Sequence, residues 1–74
     1  MGDEKITVDN SSNIASYAYS PTRSVLTIEF KNGKFWEYER VPYLVFHQMK
    51  NAESKGQFFS QRVKPYYSGR EVES

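Results

Sequence analysis

The chain has 74 residues, 38% of them hydrophobic and 26% charged, which fits one lean domain whose core supplies roughly 3–5 kcal/mol of net stability. The absence of cysteine excludes a disulfide framework and a thiolate zinc site, and no window approaches the ~18 apolar residues of a membrane span. The formal net charge of +1 hides an asymmetry: residues 12–67 carry eight Lys or Arg against four Asp or Glu, while the two ends are acidic. A mildly basic body can attract phosphate.

Residues 1–11 are polar apart from Met1, Ile6 and Val8, and are expected as a flexible lead. Their Met-Gly-Asp-Glu-Lys start has neither the positive charge nor the apolar run of a signal peptide, so a cytoplasmic location is the default expectation. Ile6-Thr7-Val8 is the one place in the lead where a short edge strand fits. Ile14–Tyr19 reads as a strand with Tyr17 and Tyr19 on one face, followed by a Pro21 turn.

Ser24–Phe30 and Lys34–Arg40 read as a hairpin around Asn32-Gly33. A two-residue type I′ loop would place Ile28 opposite Glu37 and bury two glutamates. A three-residue loop with Gly33 in the left-handed conformation instead pairs Ile28 with Trp36 and Leu26 with Tyr38. Only this second register gathers Leu26, Ile28, Phe30, Trp36 and Tyr38 on one face. Val25, Thr27, Glu29, Phe35, Glu37, Glu39 and Val41 fall on the other.

Pro42 suits the first turn of a helix, where its missing N–H has no partner. From Pro42 to about Glu53, Val45, Met49 and Ala52 recur at helical spacing, flanked by Phe46. At Ser54–Gln57 two readings stand: Gly56 ends this helix in a left-handed cap, or Ser54 and Gln57 open the next one as a capping box. Gln57–Val63 is a short second helix stopped by Pro65, with Tyr66-Tyr67 packing back. The expected fold is α+β: a three-stranded antiparallel meander followed by two helices on one sheet face, β-β-β-α-α. The single domain spans 12–67, with 68–74 a flexible tail.

This pattern resembles the KTSC domain, a small domain named from the C-terminus of some lysyl-tRNA synthetases and also met as stand-alone bacterial or phage proteins. The matching residues are Ile14 and Tyr19, Leu26-x-Ile28-x-Phe30-x-x-Gly33, Trp36-x-Tyr38-x-x-Val41-Pro42, and Ala52-x-Ser54-x-Gly56-x-Phe58-Phe59, ending at Val63 and Tyr66 or Tyr67. The chain departs from the family pattern at Trp36, where the family has tyrosine, and at Ser60, where it has asparagine. The resemblance implies no enzymatic activity and suggests RNA binding.

The residues themselves point away from catalysis. His47 is the only histidine, the only aspartates (Asp3 and Asp9) lie in the lead, and no glycine-rich phosphate loop is present. No cofactor and no metal site are expected. Twelve aromatics in 74 residues, with basic neighbours, suit base stacking and phosphate pairing. Trp36, Tyr38, Phe46, Phe58 and Phe59 are assigned to the core. The expected nucleic-acid surface is Lys55, Arg62 and Lys64 with Tyr67, joined by Arg40, and its partner would be tRNA or single-stranded RNA. The alternative is a protein-interaction module using Tyr43, Leu44 and His47 on the first helix, or an exposed sheet edge.

Overall fold

The computed structural model describes residues 4–9 and 11–72. Five strands form one antiparallel sheet in the order β1-β2-β3-β4-β5: β1 is Glu4–Thr7, β2 Ile14–Ser20, β3 Val25–Phe30, β4 Phe35–Tyr38 and β5 Gly69–Val72. Helix α1 is Tyr43–Lys50, and α2, Lys55–Phe58, runs on into a π-helical turn over Phe59–Val63. The α+β class holds, but the three-stranded meander is only the centre of the sheet. The segments expected as lead and tail supply the two outer strands. Each has four residues with at most one apolar side chain facing the core, so the ladder to β2 or β4 orders them rather than any hydrophobic alternation.

The central hairpin adopts the bulged register. Leu26 pairs with Tyr38 and Ile28 with Trp36. The Gly33 N–H donates to the Phe30 carbonyl at 3.0 Å, and Gly33 has φ +88°, a conformation that glycine reaches without Cβ strain. Across β2, Tyr17 meets Ile28 and Tyr19 meets Leu26. A register shift between Ile14 and Ser16 brings Ile14 onto the same face as these tyrosines.

The helices close that face. Phe46 and Met49 of α1, with Phe59 and Val63 of the π-turn, join Tyr17, Tyr19, Leu26, Ile28 and Tyr38 in the buried core. The helix stripe is therefore centred on Phe46 and Met49, while Val45 and Ala52 are only half-buried. Helix α1 is shorter than expected at both ends. Pro42 is its N-cap, and at Asn51 the side-chain amide folds back to donate to the His47 carbonyl at 3.1 Å. Ser54 settles the next boundary as a cap, since its hydroxyl accepts from the Gln57 N–H at 3.2 Å.

Val41, expected on the polar face, is fully buried. Arg40 has φ +59°, and this left-handed step turns the chain out of the strand alternation and drops Val41 into the core. The Tyr19 hydroxyl then donates to the Val41 carbonyl at 2.6 Å. Tyr66 does not pack back; it is 72% exposed, whereas Tyr67 lies half-buried against the core.

Candidate functional site

An eight-residue helix rises only ~12 Å, at about 1.5 Å per residue. A six-residue strand runs ~20 Å, at about 3.3 Å per residue. Through Phe46, helix α1 packs on Tyr17 and Tyr19, and none of its residues lines the cleft at the turn end of the hairpin. The π-turn covers part of the remainder. Its Lys64 N–H donates to the Phe59 carbonyl at 2.9 Å, the wide i→i−5 bond that defines such turns and that often marks functional segments.

Phe59 meets Tyr38 edge-on at 5.2 Å between ring centroids and Phe30 edge-on at 5.7 Å. Trp36 stacks beside Tyr38 at 6.4 Å. Phe30 and Trp36 remain half-buried, so the aromatic core surfaces here as the wall of a cleft of ≈ 440 Å³. Its polar rim comes from Asn13, Lys31, Asn32, Ser60 and Lys64. The 11–13 loop is pinned over one side of the cleft. The Ser11 hydroxyl accepts from the Asn13 and Ile14 N–H groups, and the Asn13 carbonyl accepts from the Lys31 N–H at 2.8 Å. Gly56 lets this loop sit close, because a Cβ there would lie 3.0 Å from the Ser11 hydroxyl oxygen. Lys31 and Lys64 are exposed and make no ion pair among the described residues. Glu71 stands opposite Trp36 on β5, and Lys34 holds its carboxylate at 3.1 Å.

The expected nucleic-acid residues do not form one patch. Lys64 borders the aromatic cleft. The Lys55 ammonium donates to the Ala52 carbonyl, and Lys55 is half-buried at the start of α2. Arg62 lines a second depression with Tyr66 and Tyr67, and Arg40 a third that shares the same two tyrosines. The structure thus places Arg40 and Arg62 beside the Tyr66–Tyr67 pair, with Glu39 next to Arg40, Lys64 in the cleft and Lys55 engaged locally. On the protein-binding alternative, Tyr43 and Leu44 are 54% and 61% exposed. His47 stacks on Tyr43 at 6.1 Å, and the inner edge of Tyr43 rests against Tyr19 and Phe46.

Reading the sequence placed Phe30 and Trp36 on the core face and passed over Asn13, Lys31 and Asn32 as a rim. The available signal was length: a short helix following Pro42 leaves part of a long hairpin face uncovered.

Burial raises the Tyr38 phenol above its ordinary value near 10. The folded state therefore holds this proton more tightly than the unfolded chain. The resulting stability is fully present below pH ~10 and is lost as pH climbs toward the raised value. An alkaline unfolding series followed by circular dichroism should show this fall, and Tyr38→Phe should flatten it. An identical alkaline profile in the variant would assign the fall to other groups.

Among the described residues, no group of three or more His, Cys, Asp or Glu side chains could hold a metal, and no helix is long and apolar enough to cross a membrane. What the fold offers is a small α+β scaffold presenting a rigid aromatic cleft with a lysine and amide rim. The chain belongs to the KTSC domain family, whose profile matches residues 10–67. It is 45% identical over 51 residues to a lysine–tRNA ligase of a Nostoc species, covering 69% of this chain but only 9% of the ligase. It is 37% identical over 57 residues to an uncharacterized protein of Stutzerimonas stutzeri, covering 77% of this chain and 80% of that one. A crystal structure of a KTSC domain protein from Yersinia pestis superposes with a TM-score of 0.89 at 29% identity, covering 97% of this chain and all of the other.

Proposed function

We propose that this domain is a noncatalytic binding module for single-stranded RNA, such as an unpaired segment of a tRNA, encountered in the cytoplasm. The observation that carries this reading is the Trp36 cleft. Half-exposed Trp36 and Phe30 offer a flat apolar face beside two lysines that have no ion pair among the described residues. Unpaired bases stack on such rings for about 1–3 kcal/mol each, and phosphates take the cations. Kinship with a segment of lysine–tRNA ligases fits a role beside tRNA. Arg40, Arg62 and Tyr67 form a second basic and aromatic surface over which a longer strand could continue.

A ¹⁵N chemical-shift titration with tRNA, and with a short single-stranded RNA, tests the reading. The expected shifts fall on the Trp36 indole and on residues 31, 32 and 60–64. If Lys31 and Lys64 each neutralise one phosphate, affinity should drop about sevenfold between 50 and 200 mM salt, from a slope of about −0.7 per phosphate for single strands. No shifts at millimolar RNA would end the proposal.

A second reading rests on Leu44, whose 61% exposure next to Tyr43 leaves an apolar spot on α1 suited to a protein partner. A pull-down compared between wild type and Tyr43→Ala/Leu44→Ser tests it: capture of the same partners by both would show that this face is not the interface.

A further inference from the structure

The aromatic cleft does not end at Ser60. A second depression of ≈ 290 Å³ shares Ser12, Asn13, Gly56 and Ser60 with it, so the two adjoin. The chemistry changes between them. Beyond the shared residues the lining is Ser11, Ser54, Gln57 and Gln61, with no charged and no aromatic side chain. The Ser11 and Ser54 hydroxyls are already used to hold local backbone. The side chains of Ser12, Gln57, Ser60 and Gln61 make no hydrogen bond among the described residues.

Such a surface suits neither of the groups that the cleft takes. A phosphate seeks cations, and a base seeks a flat apolar face. Hydroxyl and carboxamide groups both donate and accept, which matches the ribose 2′-hydroxyl, itself donor and acceptor and the group that separates RNA from DNA. We propose that this groove reads the sugar: with a base stacked at Trp36 and phosphate on Lys64 or Lys31, the adjoining ribose lies along Ser60, Gln57 and Gln61, making the site selective for RNA over DNA. The inference rests on the single-stranded RNA reading above and adds to it the source of sugar discrimination.

One eight-nucleotide sequence containing all four bases, made as RNA and as DNA with deoxyuridine in place of uridine, tests it by fluorescence anisotropy. RNA should bind about 2- to 10-fold more tightly for each ribose hydroxyl bonded. Gln57→Ala/Gln61→Ala, at two exposed positions outside the aromatic cleft, should shrink that ratio by lowering RNA affinity, and its ¹⁵N spectrum checks that the fold is kept. Trp36→Leu should weaken both strands alike. Equal affinity for RNA and DNA overturns sugar reading but leaves RNA binding standing. A preference for RNA that survives Gln57→Ala/Gln61→Ala overturns this groove as its source. Binding of neither strand removes the RNA reading and this inference together.

Discussion

Replacing Phe46 by alanine is expected to lower the unfolding free energy by about 3–5 kcal/mol, the range for a buried aromatic cut back to a methyl group. Domains hold about 0.05–0.15 kcal/mol per residue, so this chain has about 4–11 kcal/mol in all, and the variant sits at the edge of folding. The size of the effect follows from position. Phe46 is fully buried, stacks on Tyr19 at 5.0 Å, and meets Tyr17 and Tyr43 edge-on at 5.8 and 5.9 Å. Tyr19 in turn satisfies the Val41 carbonyl, so a void beside it loosens the entry to α1 as well. Urea unfolding followed by tryptophan fluorescence reads the loss. Leu44→Ala, two positions earlier on the exposed side of the same helix, is the reference and should stay within about 0.5 kcal/mol of wild type. Similar midpoints for the two variants would show that α1 is not anchored through Phe46.

What sequence alone foretold, and what it did not, divides along physical lines. The hairpin register was decided by segregation of side chains, since one choice buried two glutamates and the other none. The observed pairing of Ile28 with Trp36 follows it. Val41 escaped the same logic because the turn that buries it depends on a left-handed arginine, and no residue type announces a non-glycine φ of +59°. Of the outer strands only the first was allowed for, as a short edge strand at Ile6-Thr7-Val8, because Glu-Lys-Ile-Thr and Gly-Arg-Glu-Val carry little apolar alternation. Their order comes from hydrogen bonding to strands already in place. In α1 the expected burial of Met49 and Phe46 holds, but Val45 and Ala52, given the rest of the stripe, are only half-buried. Over eight residues Val45 and Phe46 begin neighbouring stripes, and the tyrosines across from them take the larger ring.

The candidate site shows the same division. Lys64 was chosen for its charge and borders the cleft, but the wall it faces is built from Phe30 and Trp36, which periodicity sent to the core. Periodicity was right about the face and silent about coverage: a residue can point toward the helices and still lie beyond their reach. Both positions at which the chain departs from the family pattern, Trp36 and Ser60, line this cleft.

Tyr38 joins the two halves of the molecule, and Tyr38→Ala is expected to cost about 3–5 kcal/mol as well, by a different route. Its ring packs edge-on against Phe59 and lies over Gly69, its partner on β5. A Cβ built on Gly69 would overlap the ring, so the strand approaches as closely as a bare Cα allows. Removing the ring takes the floor from the aromatic cleft and the cover from β5 together. Amide exchange should accelerate first in Gly69–Val72, ahead of β2 and β3, because an outer strand held on one side opens at lower cost than the centre of the sheet. The close approach supplies the decisive control. Gly69→Ala should destabilise the wild-type domain, yet cost much less in a Tyr38→Leu background, where a smaller side chain leaves room for the methyl group. A double-mutant cycle should then give a coupling of about 0.5–3 kcal/mol between positions 38 and 69. Additive costs would mean that β5 is held by its ladder alone and that the Tyr38 ring does not clamp it.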